Sequence, residues 1–292
     1  MKRFSLIVIG CLLPALSADA GEPAVKQTIK YVQNLQTATG GFRPFDVKDE
    51  AIEVLPTLRA TSAAMRALKY FGGDLPNKDL CAKFVESCYD AESGGFADMP
   101  KVKPDVFSTA VGLMATDSKN HGKYASGAIK YFNANARSFE EIRIAVAGLE
   151  TIAEKSPKYA DWIKEVTKLQ NEDGTFGKSP GLARATGGSV VALLRMGAKP
   201  ADSERVLKVI KDGQRRNGGW GKEDSAIASD LETTYRVMRC FVMLKSRPDN
   251  VEGVRSFVAK CRNADGGYAV APGQPSNISG TYFAAIILHW LK

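Results

Sequence analysis

The stretch Gln214-Arg215-Arg216-Asn217-Gly218-Gly219-Trp220 constrains this chain more than any other. It closes an amphipathic helix, turns on two glycines and sets down a large aromatic. Versions recur with Gln36, Gly40, Gly41 and Phe42, with Gly94, Gly95 and Phe96, with Gln170, Gly174 and Phe176, and with Gly266, Gly267 and Tyr268. A polar helix end, a glycine able to take positive φ and an aromatic peg form a helix–turn–helix junction with a mechanism. Successive pegs are 54, 80, 44 and 48 residues apart. The step of 80 reads as two units with one degenerate junction near Asn135-Ala136-Arg137. Six repeats result, and self-similarity at such a period predicts an array rather than a mixed fold.

Each repeat reads as helix, turn, helix. The helices before the turns, near residues 24–35, 77–89, 123–133, 159–170, 201–214 and 250–262, are charged on one face. Their other face is apolar at i, i+3, i+4 spacing, as with Val206, Val209 and Ile210. The helices after the turns, near 58–70, 108–118, 139–154, 184–196, 231–244 and 279–290, are small and apolar nearly all round. Gly187-Gly188-Ser189-Val190-Val191-Ala192 is an example. A helix with little polar face is buried, and small residues let neighbours approach closely. Two concentric rings satisfy both patterns: an all-α, (α/α)6 toroid of six hairpins, closed rather than an open solenoid. It forms one domain over residues 21–292.

The start of the chain reads differently. Lys2 and Arg3 precede an apolar run over residues 4–16, then Ala18-Asp19-Ala20. This is the layout of a secretory signal peptide cut after Ala20, too short to span a bilayer. An alternative rests on Val8-Ile9-Gly10-Cys11, which resembles a lipobox with Cys11 lipidated. Either way the expectation is an exported protein with no transmembrane segment. The formal net charge of +8 is scattered over helical faces, as with Lys158, Lys164 and Lys168. No arginine stripe or aromatic platform suits nucleic acid. Cys81, Cys88, Cys240 and Cys261 follow the leader; Cys81 and Cys88 lie seven apart on one helix, too far for a bridge, so buried thiols are expected.

The three full Q-x-x-x-G-x-[FW] elements, at 36–42, 170–176 and 214–220, together with the partial copies, resemble the prenyltransferase/squalene-cyclase repeat superfamily. That resemblance implies the toroid, pegs that are structural, and chemistry in the lumen where inner helices begin. Helix N-termini converging on one mouth favour an anionic group. Aligning the repeats on Thr61, Thr109, Thr186, Thr234 and Thr281 puts Arg59, Phe107, Arg184, Glu232 and Ser279 at that mouth, with Glu140 in the third repeat. Tyr235 and Tyr282 complete the candidate ligand-binding set. The charged members could bind a polar ligand, pair with one another or cap helices.

In protein prenyltransferase β-subunits, zinc is held by Asp and Cys two apart and by a late His. The matching positions here read Glu232, Thr234 and Ser279, and neither His121 nor His289 matches. Thr and Ser are poor zinc ligands, so no metal and no cofactor is expected. The D-x-D-D acid of the cyclases has a partial likeness in Asp230-Leu231-Glu232-Thr233, where Asp230 and Glu232 could share a proton as catalytic acid. The competing role for Asp230 is a helix cap. The inner helices offer mainly Ala, Gly, Val and Met toward a carbocation. The leading expectation is a protein that binds an isoprenoid, lipid-like or other small ligand, or a partner peptide, at the lumen. The alternative is a prenyltransferase- or cyclase-like enzyme using Asp230 and Glu232. The connections at 43–57, 97–107 and 269–278 are candidates for a lid or docking surface.

Overall fold

The computed structural model describes residues 21–47, 52–222 and 228–292; the expected leader, and with it Cys11 and the expected cleavage site, lies outside them. In chain order the helices are α1 (Glu22–Asn34), α2 (Leu58–Phe71), α3 (Lys78–Ser87), α4 (Val106–Ala115), α5 (His121–Asn135) and α6 (Phe139–Thr151). They continue with α7 (Tyr159–Thr167), α8 (Leu182–Arg195), α9 (Ser203–Asp212), α10 (Leu231–Met243), α11 (Val251–Lys260) and α12 (Ile278–Trp290). The even-numbered helices pack in the cycle α2, α4, α6, α8, α10, α12 and back to α2, so the inner ring closes. The odd-numbered helices lie outside them. None of the described helices is long and apolar enough to cross a membrane.

The pegs explain why each junction has its sequence. Phe42, Phe96, Phe176, Trp220 and Tyr268 are all at most 2 % exposed. Every one donates its backbone N–H to the hydroxyl of the threonine on the following inner helix: Thr61, Thr109, Thr186, Thr234 and Thr281, at 2.9 to 3.1 Å. A buried backbone donor needs such a partner, which fixes the threonine although its separation from the peg varies from 10 to 19 residues. The glutamines close the loop from the other side. Gln36, Gln170 and Gln214 donate to the carbonyls of Gly40, Gly174 and Gly218 at 2.9 to 3.0 Å. Gln214 also reaches the Asn250 carbonyl at 2.8 Å, so the turn grips the next outer helix.

Two glycines carry more than a turn. Gly218 has φ +94°, and a Cβ there would overlap the backbone of Gly253 in α11. Gly266 has φ +91° and lies against Gln27 of α1 in the same way, although Gln27 belongs to the first repeat. The last junction therefore treats the first repeat as its successor. Thr28 donates to the Gly266 carbonyl at 2.7 Å, Arg262 bonds Gln27 at 2.7 Å, and the Ile278 amide reaches the Pro44 carbonyl at 2.8 Å. The third junction has neither glycine nor peg. A capping box of Ser138 and Glu141 starts α6 there instead. The four cysteines are free and buried, and burial pushes the Cys81 thiol up to about 11.

Candidate functional site

The N-terminal turns of α6, α8 and α10 carry a chain of ion pairs. Arg184 meets Glu232 at 3.0 Å, and Glu232 meets Arg236 at 2.7 Å. Arg236 reaches Glu140 at 2.7 Å, and Glu140 is held by Arg143 at 2.9 Å. Helical spacing builds it: Glu232 and Arg236 are i, i+4 partners, and Glu140 and Arg143 are i, i+3 partners. Burial alone would raise both carboxyls. The arginines outweigh it, holding Glu232 below the usual carboxylate range and Glu140 down to about 2. Two of the predicted carboxylates thus belong to one network, but as ionised groups rather than proton donors. Asp230 accepts the Thr233 amide at 2.7 Å and is the N-cap of α10.

A cavity of about 480 Å³ runs along the inner face from this network toward the C-terminal ends of the inner helices. Lys69, Glu150 and Thr151 line it there and are exposed. Six cationic side chains line it, Arg66, Lys69, Arg143, Arg195, Arg236 and Arg239, against two carboxylates, Glu150 and Glu232. Arg195 is paired with Glu150 at 2.8 Å. One wall is aromatic: Tyr235 stacks on Trp290 and Phe283, with ring centres 5.6 and 5.2 Å apart, and lies 5.9 Å from Tyr282. The Arg66 guanidinium sits 4.0 Å over Tyr282, and that of Arg239 sits 4.6 Å over Trp290. Burial raises both phenols, but Arg239, Arg66 and Arg195 overcome it at Tyr235, whose pKa is lowered, while that of Tyr282 stays raised.

Of the residues singled out by sequence, Glu232, Tyr235 and Tyr282 line this cavity, and Glu140 and Arg184 join it through the ion-pair chain. Arg59, Phe107 and Ser279 do not line it. Arg59 is half exposed and turned along the rim, 3.0 Å from Asp105 and 5.6 Å over the Phe107 ring. Ser279 is exposed. The lumen is also far more cationic than a count of Ala, Gly, Val and Met implies. Arg66 and Arg239 each lie five residues after an aligned threonine, Thr61 and Thr234, and Arg143 and Arg236 fall near the start of their helices. Register against Thr61 and Thr234, rather than composition, was the signal for Arg66 and Arg239. At the position where the prenyltransferases have a thiolate, the Thr234 hydroxyl already accepts the Trp220 amide. Among the described residues no group of three or more His, Cys, Asp or Glu side chains stands close enough for a metal.

The family model for the prenyltransferase alpha-alpha toroid domain matches residues 6–78, 61–120 and 116–292. The chain belongs to that family. No curated protein matches it in sequence. Among solved structures, this toroid resembles the type II terpene cyclase MstE from Scytonema, with TM-score 0.64 and 10% identity over 94% of this chain and 98% of that one. It also resembles the Candida albicans protein geranylgeranyltransferase-I complexed with GGPP, with TM-score 0.63 and 12% identity over 79% of this chain and 83% of that one. A protein from Actinoplanes aligns with TM-score 0.57 and 12% identity over 92% and 98% of the two chains. Identities this low establish a shared toroid and leave the chemistry to the site.

Proposed function

We propose that this toroid is an exported binding protein whose lumen holds an isoprenoid or other lipid-like small ligand without the family's zinc chemistry. The observation that carries the reading is the pairing of both carboxylates with arginine beside a cavity of small-molecule size. At about 480 Å³ the cavity falls within the range of about 300 to 1,000 Å³ usual for such ligands. Its apolar side, from Met65, Met114, Ile144 and Phe283 with the stacked rings, suits a hydrocarbon body. Relatives by fold are seen with geranylgeranyl compounds, GGPP in the transferase and geranylgeranyl dihydroxybenzoate in the cyclase. The residues at the zinc positions do not fit a zinc ion: Glu232 is engaged by two arginines and Thr234 by the peg amide. A cyclase acid needs a carboxyl held protonated, and Glu232 is held the other way.

Trp290 reports on filling of the lumen, because its ring stacks on Tyr235 at the cavity wall. Titration with geranylgeraniol is expected to change tryptophan fluorescence, and Trp290→Phe to remove the change. An unaltered signal, with no heat of binding in calorimetry, would count against the reading. Glu232→Gln is expected to leave that binding within about 3-fold.

A further inference from the structure

The carboxylates of the lumen are engaged: Glu232 by Arg184 and Arg236, Glu140 by Arg143 and Arg236, and Glu150 by Arg195. Arg66 on α2 and Arg239 on α10 face a phenol instead. Arg239 stands 5.8 Å over the Tyr235 ring and 4.6 Å over Trp290. Arg66 stands 4.0 Å over Tyr282, whose ring centre is 5.9 Å from that of Tyr235. The two phenols sit in unlike places. Tyr235 is half-buried and lines the cavity. Tyr282 is 4 % exposed, and its buried hydroxyl has no hydrogen-bond partner of ordinary geometry. The Tyr235 oxygen, once ionised, is an acceptor that this hydroxyl can serve. Arg195 of α8 and Arg143 of α6 add positive charge around Tyr235, and Glu150 of α6 acts on Arg239 from across the lumen. Burial disfavours ionising either phenol, yet the arginines reverse that at Tyr235 and not at Tyr282. Two titratable groups pushed in opposite directions inside one cavity mark an acid–base site.

We propose that Tyr235 is a catalytic base, which removes a proton from the carbon beside the carbonyl of an apolar ketone held in the lumen. This adds an activity to the reading of the lumen as a small-ligand site and rests on it. The Tyr235 phenolate oxygen takes the proton and becomes neutral. The C–H electron pair forms a carbon–carbon double bond, the carbonyl π pair moves onto oxygen, and an enolate results. Tyr235 then returns the proton to the same carbon or, in a β,γ-unsaturated ketone, to the far end of the double bond. Nothing else is consumed. The arginines favour the step because the charge that leaves Tyr235 reappears on the enolate oxygen inside the same cationic lumen, which needs no reorganisation to receive it. A neutral ketone suits the site because the phenolate already supplies Arg66 and Arg239 with negative charge. Met65, Met114, Ile144 and Phe283 give its apolar body a wall. Tyr282 is a positioning residue, whose hydroxyl steadies the phenolate oxygen and touches no reacting atom.

The test incubates the whole protein with geranylacetone, an isoprenoid ketone, in heavy water and follows deuterium uptake beside the carbonyl by proton NMR. Uptake is expected to exceed that in buffer alone, to rise with pH as Tyr235 loses its proton, and to level off below the ordinary phenol range of about 10. Tyr235→Phe should slow it about 100-fold or more while geranylacetone binding, read by tryptophan fluorescence, stays within about 3-fold. Tyr282→Phe and Arg239→Met should each move the midpoint of the pH profile upward by about one unit, a shift that a merely structural role would not produce. Should Tyr235→Phe fail to fold, ultraviolet titration of the unaltered protein decides. One tyrosine should ionise well before the others, and Arg239→Met should delay it; no early phenolate overturns the proposal. Uptake at the buffer rate, or undiminished in Tyr235→Phe, overturns it as well. If geranylacetone still binds, the lumen reading survives that loss; if neither it nor geranylgeraniol binds, both fall.

Discussion

Glu140 sits between Arg143 and Arg236 and is held at about 2, so the sign of its effect on stability is set. A carboxyl with a depressed folded-state pKa stabilises above its unfolded value and loses that contribution as pH falls toward the folded one. Acid unfolding monitored by circular dichroism should therefore steepen between about pH 4.5 and about pH 2. Glu140→Gln should flatten that limb. The same logic separates the two roles of Glu232. Its partners hold it ionised, so Glu232→Gln removes a charge from a network rather than a proton from an acid. Here the sequence was half legible. The aligned threonines found Glu140, Arg184 and Glu232, which are indeed joined. They said nothing of Arg236 and Arg143, whose side chains complete the chain of pairs, because partner choice across helices depends on the ring's geometry. Arg59 stands apart from that network for a local reason: Asp98 and Asp105 stand next to it, on connections whose path no helical periodicity encodes.

At the scale of the hairpin, the threonine and the aromatic act as one unit. Thr234→Val removes the acceptor for the Trp220 amide inside the core and should cost about 1 to 3 kcal/mol in urea unfolding, with an unchanged m-value. Gly218→Ala should cost at least as much, because its Cβ would meet the α11 backbone at a positive φ. These elements were the most legible part of the sequence, since a turn that needs glycine, an amide that needs a hydroxyl and a peg that needs a cavity each restrict one position. The third junction was legible only as an exception. Ser138 and Glu141 there satisfy the helix start with side chains, so the recurring pattern was not required.

For the whole molecule, closure is the property that distinguishes this fold from a stack of hairpins. α12 packs on α2, and Thr28, Gln27 and Pro44 of the first repeat bond to the last. A ring has no free end from which to fray, so fluorescence and circular dichroism should report one coincident unfolding transition. Thr28→Val, which weakens the seam, should lower stability by about 1 kcal/mol without splitting that transition. Closure also creates the lumen, and with it the question of what balances the charge inside. Helix amphipathicity revealed the two rings but not this charge, because an inner helix can be apolar nearly all round and still direct one arginine to the axis, as α2 does with Arg66.

The central claim is that the lumen holds a small ligand and no zinc. Native mass spectrometry of the protein purified from its own host, with metal analysis of the same sample, tests it most directly. The expected spectrum shows a mass beginning at Gly21, one small-molecule adduct per chain released on denaturation, and no stoichiometric metal. A lumen that stays empty, or one zinc ion per chain, would contradict it.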